Sequence, residues 1–288
     1  MAAIDGTTNL TGEMAPGRPA NQQPRRNTFW SWFWITLGVL YFVLPLIGTF
    51  LFSLRAQKDV LGFLAYQQVL EDPQFYHTFG FSLEMAIFTI LVSLVLVVPT
   101  AYWIRLKLPQ LRILVEFVSL MPFVIPAIVL VFGLIRVFSG NPFHMTNTQF
   151  GTDALLVAGY VVLALPYMFR AVDTGLQAID VRSLTEAAQS LGAGWGTILL
   201  KIIFPNLRVA LLSGAFLTLA TVMGEFTIAS FLVGINAFGP YMSQTGQNRA
   251  YESASLAIIS FLLTWISMLL IQIFSRGRTE KSTIAVAH

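Results

Sequence analysis

Long apolar blocks separated by short polar segments dominate the chain, and they have the lengths of transmembrane helices. A helix needs roughly 20 apolar residues to cross the hydrocarbon core of a bilayer. The blocks do not alternate with a period of two, so they predict helices rather than barrel strands. The pattern therefore predicts an all-α membrane protein with six transmembrane helices, at Trp30–Ser53, Phe79–Ile104, Ile113–Phe138, Asp153–Arg170, Val209–Val233 and Ala254–Ser275.

The composition agrees with residence in a lipid bilayer. Hydrophobic residues make up 56% of the 288 residues and charged residues only 11%, whereas soluble domains carry about 25% charged residues. Residues 1–28 are polar and rich in Gly, Pro, Asn and Gln, which predicts a disordered N-terminal tail and not a cleavable signal. The first helix and its following loop are expected at 29–75, and a C-terminal tail at 276–288.

The distribution of basic residues predicts the orientation of the helices. With a cytoplasmic N-terminus, all but four of the 17 Lys and Arg residues fall on the cytoplasmic side; the four exceptions are Arg55, Lys58, Arg136 and Arg249. This positive-inside bias predicts that both termini are cytoplasmic, and the absence of cysteine fits a bacterial inner membrane protein. The formal net charge of +3 follows from this flanking pattern, so a nucleic-acid partner is not expected.

The sequence lacks the motifs that are typical of ATP-binding, metal-binding and catalytic sites. No Gly-Lys-Ser or Gly-Lys-Thr occurs, so the chain is not expected to bind ATP through a P-loop. The three histidines, His77, His144 and His288, are far apart, and no metal site is expected. The chain has no cysteine and no Gly-x-Ser-x-Gly motif, which leaves no catalytic residues to propose.

The segment between the predicted fourth and fifth helices has its own secondary-structure signals. Asp180 can cap a helix that begins near Val181, and Gly192 supplies a left-handed stop. A second helix is predicted after Gly194, with an apolar stripe at Trp195, Ile198, Leu199, Ile202 and Ile203, up to a kink or stop at Pro205. We expect an exposed small-residue surface at Ala187 and Ala188; the alternative is an ordinary amphipathic loop at the membrane interface.

The same segment resembles the EAA signature of permease subunits of binding-protein-dependent ABC importers. It supplies Glu186-Ala187-Ala188, then Gly192 at the required offset, and ends in Ile202-Ile203-Phe204-Pro205. Phe204 replaces the usual Leu but keeps an apolar residue before the proline. The resemblance covers roughly 76–275, which is the expected extent of an ABC transmembrane type-1 domain.

The resemblance implies a type I importer permease fold (MetI-like) whose cytoplasmic loop acts as a coupling helix. In such permeases the loop fits a groove on a separate ATPase, and ATP-driven closure of the ATPase dimer switches the pathway between its inward-open and outward-open states. ATP and Mg would be held by those ATPases and no cofactor by this chain. The other implied partners are a second permease, related but different, and an extracytoplasmic binding protein. The coupling residues would be Glu186, Ala187, Ala188, Leu191, Gly192 and Pro205.

Charged residues and prolines inside the predicted spans are the candidates for the translocation path. A charge at the bilayer centre costs about 2.5–3.5 kcal/mol on insertion scales, so Glu225, beside Gly224 in the predicted fifth span, is the first candidate. A carboxylate that only packs helices is the alternative. Pro122 and Pro126 break the predicted third span and free carbonyl groups, either to line a cavity or as a packing kink. Glu116, four residues after Arg112, is expected to form a helical ion pair with it.

The substrate is indicated only by resemblance. The run "GEFTIASFL" resembles permeases of the polyamine, opine, phosphonate, ferric-iron and thiosulfate branch. Polyamine-type subunits are the most similar, and a carboxylate in the path would suit a cation such as spermidine or putrescine. A secondary transporter or channel independent of ATP is the competing hypothesis, but such a protein does not need the signature that runs from Glu186 to Pro205.

Overall fold

The structure, a computed structural model, describes residues 28–56, 61–140, 142 and 144–276, and these residues form helices and turns without a strand. Residues 1–47 and 48–288 are two separate units. The helices in chain order are α1 (Thr28–Ser53), α2 (Leu64–Glu71), α3 (Pro73–Lys107), α4 (Arg112–Leu120), α5 (Ala127–Phe138), α6 (Gln149–Gln177), α7 (Val181–Ser190), α8 (Trp195–Ile198), α9 (Phe204–Asn206), α10 (Arg208–Met223), α11 (Thr227–Leu232), α12 (Phe238–Asn248) and α13 (Ala250–Arg276).

Three unbroken helices are long and apolar enough to cross a membrane by themselves. They are α3 with 35 residues, α6 with 29 residues, and the Trp32–Ser53 part of α1 with 22 residues. At 1.5 Å per residue α3 is about 52 Å long, well beyond the roughly 30 Å of a bilayer core. Two bent helix pairs raise the number of spans among the described residues to five, and α13 adds a shorter apolar stretch, Ala250–Ile266. The predicted all-α membrane fold is confirmed, but the predicted count of six spans is not confirmed exactly.

The predicted third span is divided by its prolines. Helices α4 and α5 meet at an angle of 101°. Pro122 lies in the short 3-10 turn Met121–Phe123, and Pro126 is the residue that precedes α5. Proline has no backbone N–H and disfavours a helical conformation in the residue before it, so two prolines four residues apart separate the two helices.

The predicted fifth span is also interrupted, which corrects the expectation of one helix through Val233. Helix α10 ends at Met223 after 16 residues, about 24 Å. Gly224, Glu225 and Phe226 lie between α10 and α11, which has only six residues. At its other end α10 is bent by 78° from the Trp195–Asn206 segment.

Helices α3, α6 and α10 pack around one apolar cluster at the end of the bundle where α7 lies. Its fully buried members include Val98, Met168, Leu176 and Ile203. Helices α6 and α10 approach closely, because a Cβ atom on Gly175 would lie 2.6 Å from the Cβ of Ala210. A side chain at this glycine would therefore push the two helices apart.

Polar side chains tie the helices together at both ends of the bundle. Near α7, Asp173 accepts hydrogen bonds from Arg112 at 3.1 Å and Gln177 at 2.6 Å, and Arg105 lies 3.9 Å away. The predicted pair of Arg112 with Glu116 is therefore wrong, because Arg112 turns to the carboxylate on α6. At the opposite end, Asp72 caps α3 and accepts a hydrogen bond from the Tyr241 hydroxyl at 2.8 Å.

Candidate functional site

Helix α7 begins at the predicted cap. Asp180 accepts hydrogen bonds from the backbone N–H of Ser183 at 3.2 Å and from the Ser183 hydroxyl at 2.7 Å. The hydroxyl bond is the main reason that the pKa of Asp180 is lowered from its usual value. A charged Asp180 satisfies one of the free N–H groups at the helix start and interacts favourably with the helix dipole.

Helix α7 ends in a Schellman motif at the predicted glycine. Gly192 has φ +78°, the N–H of Gly192 donates to the carbonyl of Gln189 at 2.9 Å, and the N–H of Ala193 donates to the carbonyl of Ala188 at 3.0 Å. These two bonds satisfy carbonyl groups that the helix end leaves free, and the left-handed residue turns the chain sharply towards α8. The predicted stop at Gly192 is confirmed.

One face of α7 packs against its own chain, and this face includes Ala188. Val181, Thr185 and Ala188, at i, i+4 and i+7, are buried. The Thr185 hydroxyl lies 3.0 Å from the Tyr102 hydroxyl of α3. Ala188 is only 5% exposed and belongs to the cluster of α3, α6 and α10. The expectation that Ala188 lies on an exposed surface is wrong, because its small side chain lets α7 approach the bundle.

The opposite face of α7 is open and is the candidate docking surface. We define this α7 outer face as Arg182, Glu186, Ala187, Ser190 and Leu191, all of which are exposed. Arg182 and Glu186 form an ion pair at 2.8 Å, with side chains 82% and 62% exposed. Leu191 is 88% exposed. A leucine so exposed at a sharp turn offers an apolar contact to a partner protein.

The second helix of the segment connects the α7 outer face to the membrane-spanning core. Ile198, Leu199 and Ile203 of the predicted stripe are buried, whereas Trp195 is half exposed. Residues Leu199–Ile203 form a π-helical turn, a feature that the sequence analysis did not predict. Pro205 follows that turn, is exposed and cannot donate to the carbonyl of Lys201, so the chain bends by 78° before α10.

A cavity of about 450 Å³ lies beside this segment. The indole rings of Trp103 and Trp195 meet edge to face at 5.7 Å, and the Lys107 ammonium group lies 5.5 Å from the Trp103 ring. Aromatic walls with cations at the rim suit a protein contact that is apolar in the middle and charged at its edge. The lining residues are Tyr102, Trp103, Leu106, Lys107, Arg182, Thr185, Glu186, Gln189 and Trp195.

The structure gives Glu225 a capping position rather than a place inside a continuous span. One carboxylate oxygen accepts from the N–H of Ile228 at 2.9 Å and the other from the N–H of Ala229 at 3.1 Å. The side chain is half-buried at the start of α11, and Gly224 closes the end of α10. Both oxygens are thus used by the backbone of the broken helix. A role of Glu225 and Gly224 in transport stays a prediction.

The proline-broken segment borders a larger apolar cavity of about 580 Å³ between α6 and α10. Leu120 and Phe123 line it, and the Phe123 ring meets Tyr167 edge to face at 5.6 Å. Pro122 and Pro126 are not among the lining residues, so they shape this wall only through the chain between them. Their place in a translocation path also remains a prediction.

The family of the chain follows from comparison with known proteins. Residues 98–280 match the family of binding-protein-dependent transport system inner membrane components. The chain belongs to this family. The segment matched contains the whole α7 outer face, its Schellman motif and both bent helix pairs.

Curated relatives cover most of the chain. The spermidine/putrescine permease PotB of Escherichia coli (strain K12) is 28% identical over 217 residues, 70% of this chain and 78% of PotB. PotC of the same organism is 31% identical over 70% of this chain and 75% of PotC. The probable sulfate permease cysT of Chlorokybus atmophyticus is 30% identical over 68% of this chain and 70% of cysT.

Solved structures show the same fold. A bacterial ABC transporter that imports the acidic polysaccharide alginate aligns with a TM-score of 0.67 at 13% identity, over 88% of this chain and 96% of the other. The methionine transporter MetNI aligns with a TM-score of 0.55 at 21% identity, over 69% and 93%. The fold is therefore that of ABC importer permeases, and the family match makes the chain an inner membrane component of a binding-protein-dependent transport system.

Proposed function

We propose that the chain forms half of the translocation pathway of an ATP-driven importer for a polyamine, such as spermidine or putrescine, or a similar organic cation. A second, related but different permease would form the other half. Two ATPase subunits would hold ATP and Mg, and this chain would bind no cofactor. A binding protein would deliver the substrate from outside, and both termini would be cytoplasmic.

The observation that carries the proposal is the similarity to PotB and PotC together. Both relatives match about the same length of this chain at 28% and 31% identity, and both are named as parts of a spermidine/putrescine system. The sulfate relative at 30% identity keeps anionic substrates as the second candidate. Phosphonate, opine, ferric-iron and thiosulfate import by the same machinery are further alternatives.

The α7 outer face supports the proposed ATPase partner. The helix is held by its buried face, by its cap at Asp180 and by the left-handed turn at Gly192, so its position follows that of the bundle. Nothing in the described chain covers Leu191. A carrier driven by an ion gradient has no need for such a rigid, exposed helix between two membrane segments.

Basic residues support the proposed orientation. Arg105, Lys107 and Arg112 lie where α3 ends and α4 begins, which is the end that carries Arg182 on α7. Cytoplasmic loops are enriched in Lys and Arg. We therefore place α7 and its outer face in the cytoplasm and the His77 end of α3 outside.

Purification and uptake test the two parts of this proposal separately. A tagged chain purified in mild detergent should bring with it a P-loop ATPase and a second permease. Cells that lack other polyamine uptake and express the complete transporter should then accumulate labelled spermidine, and excess putrescine should compete where sulfate does not. Competition by sulfate would reverse the substrate assignment, whereas the absence of any ATPase would remove the importer mechanism.

A further inference from the structure

A polar cavity of about 400 Å³ lies at the end of the bundle opposite to α7. His77, near the start of α3, is 25 residues before Tyr102, the α7 contact, which corresponds to about 37 Å along the helix. The volume falls within the roughly 300–1,000 Å³ of small-molecule pockets. Its lining residues are His77, Phe81, Thr146, Asn147, Thr148, Gln149, Thr152, Asp153, Leu232, Val233 and Asn236.

Three separate parts of the chain converge on this cavity. The start of α3 supplies His77, the turn before α6 and the first turns of α6 supply Asp153, and the end of the broken fifth span supplies Asn236. Glu225 caps α11, the short helix that precedes the turn Gly234–Asn236.

The polar groups of the cavity are largely uncommitted. The side chains of His77, Asp153 and Asn236 make no hydrogen bond or ion pair to another residue in the described part of the chain. By contrast, the other half-buried carboxylates in the described part of the chain are all hydrogen-bonded, namely Asp72, Asp173, Glu225 and Glu252. A free carboxylate in a pocket is available to a ligand without first breaking a bond within the protein.

The charge of the cavity favours a cation. Asp153 is the one carboxylate among the described residues that line it, and Glu84 lies near Asp153 on the neighbouring helix α3. None of the described residues that line the cavity is Lys or Arg. Asp153 inside the cavity and Glu84 near it form no ion pair among the described residues, and a neutral His77 adds no positive charge, so the site attracts an ammonium group and disfavours an anion such as sulfate.

The remaining walls fit an alkyl amine rather than an inorganic cation. Phe81, Leu232 and Val233 are apolar and suit methylene groups, and an aromatic face also attracts an ammonium group. The amide and hydroxyl oxygens of Asn147, Gln149 and Thr146 offer further acceptors for N–H groups.

We propose that this cavity is a receiving site for the protonated amine, in which Asp153 binds one ammonium group as the substrate leaves its binding protein. The proposal rests on the proposed polyamine import and adds the residue that first takes up the cation. Glu84 adds to the negative potential, and the apolar wall holds the methylene chain. The site is separate from Glu225, whose carboxylate is occupied by backbone N–H groups.

Equilibrium binding tests the site without requiring transport. The purified complex with its second permease and ATPases, in zwitterionic lipid and without binding protein, is dialysed against labelled spermidine. Asp153→Asn should weaken binding about tenfold, the effect of losing one charge-assisted hydrogen bond, and Asp153→Glu should preserve most of it. Glu71→Gln, an exposed carboxylate of α2 outside the cavity, is the matched control and should bind as the wild type does.

Transport by the same variants separates this inference from the proposed function. With the loaded binding protein as the varied component, Asp153→Asn should lower Vmax about tenfold and leave KM unchanged. Wild-type spermidine binding and Vmax in Asp153→Asn would overturn the receiving site while polyamine import stands. A raised KM with normal Vmax would overturn it in favour of a docking surface for the binding protein. A wild-type complex that neither binds nor imports spermidine would refute both proposals.

Discussion

Replacing Leu191 by alanine tests whether the α7 outer face is the contact with the ATPase. Leu191 is 88% exposed in the chain, so the substitution should change the stability of the permease by no more than about 0.5 kcal/mol. If the ATPase buries this side chain, the loss of about three methylene-sized groups at about 0.8 kcal/mol each costs about 2.4 kcal/mol. At 1.4 kcal/mol per factor of ten, the ATPase should bind about fiftyfold more weakly.

The measurement is the affinity of purified ATPase for the permease pair in nanodiscs, followed by the rate of ATP hydrolysis. Leu200→Ala is the matched control, since Leu200 is 66% exposed but lies in the π-helical part of the next helix. We expect a weakened complex and slower coupled hydrolysis only for Leu191→Ala. Equal affinity for the wild type and Leu191→Ala, with weakening by Leu200→Ala, would show that the partner docks elsewhere.

Four further substitutions probe the elements that hold this segment and the broken span. Ala188→Asp should destabilise the permease itself by several kcal/mol, because it buries an unpaired charge; a normal melting temperature would contradict the buried position. Gly192→Val should cost about 1–2 kcal/mol at φ +78°, with Gly194→Val, at negative φ, as a nearly neutral control in thermal melts. Glu225→Gln should lose one of two capping bonds and about 0.5–2 kcal/mol of stability; lower uptake per intact complex would support the predicted pathway role, and normal uptake per intact complex would contradict it. The pKa of Asp180 is lowered in the folded chain, so the cap should stabilise α7 fully above the usual pKa of an aspartate and lose this effect as the pH falls through the folded pKa. Hydrogen exchange in α7 should therefore be faster in Asp180→Ala than in the wild type at neutral pH. In acid the two exchange rates should converge.

Local signals in the sequence predict well where the helices between Asp180 and Pro205 begin, end and bend. Asp180, Gly192 and Pro205 each restrict the backbone by a mechanism that depends on one or two neighbouring residues, and the structure shows each at work. The same holds for Pro122 and Pro126, which stand four residues apart at the break between α4 and α5, whereas the single prolines Pro99 and Pro166 lie inside unbroken helices. Helix caps, left-handed turns and proline breaks depend on residues within one or two turns of each other, so the sequence alone can predict them.

Features that depend on packing could not be predicted in this way. Whether the small side chain of Ala188 faces a partner or its own bundle depends on the position of α3, which supplies Tyr102 to the buried face. Hydropathy predicted one helix through Glu225, because apolar residues surround it on both sides, and Gly224 was the only local sign of a break. His77, Asp153 and Asn236 line one cavity although they lie up to 159 positions apart in the sequence. The hydrophobic periodicity of a single helix gives no sign that these three residues are close together.

The most direct test of the account is the energy source of transport. The chain, its second permease and its ATPases are reconstituted in liposomes, and labelled spermidine is supplied with the binding protein. Uptake should require both ATP and the binding protein, and it should be greatly reduced when Leu191→Ala replaces the wild type at limiting ATPase concentration. Spermidine uptake driven by a proton or sodium gradient in the absence of ATP would contradict the importer mechanism.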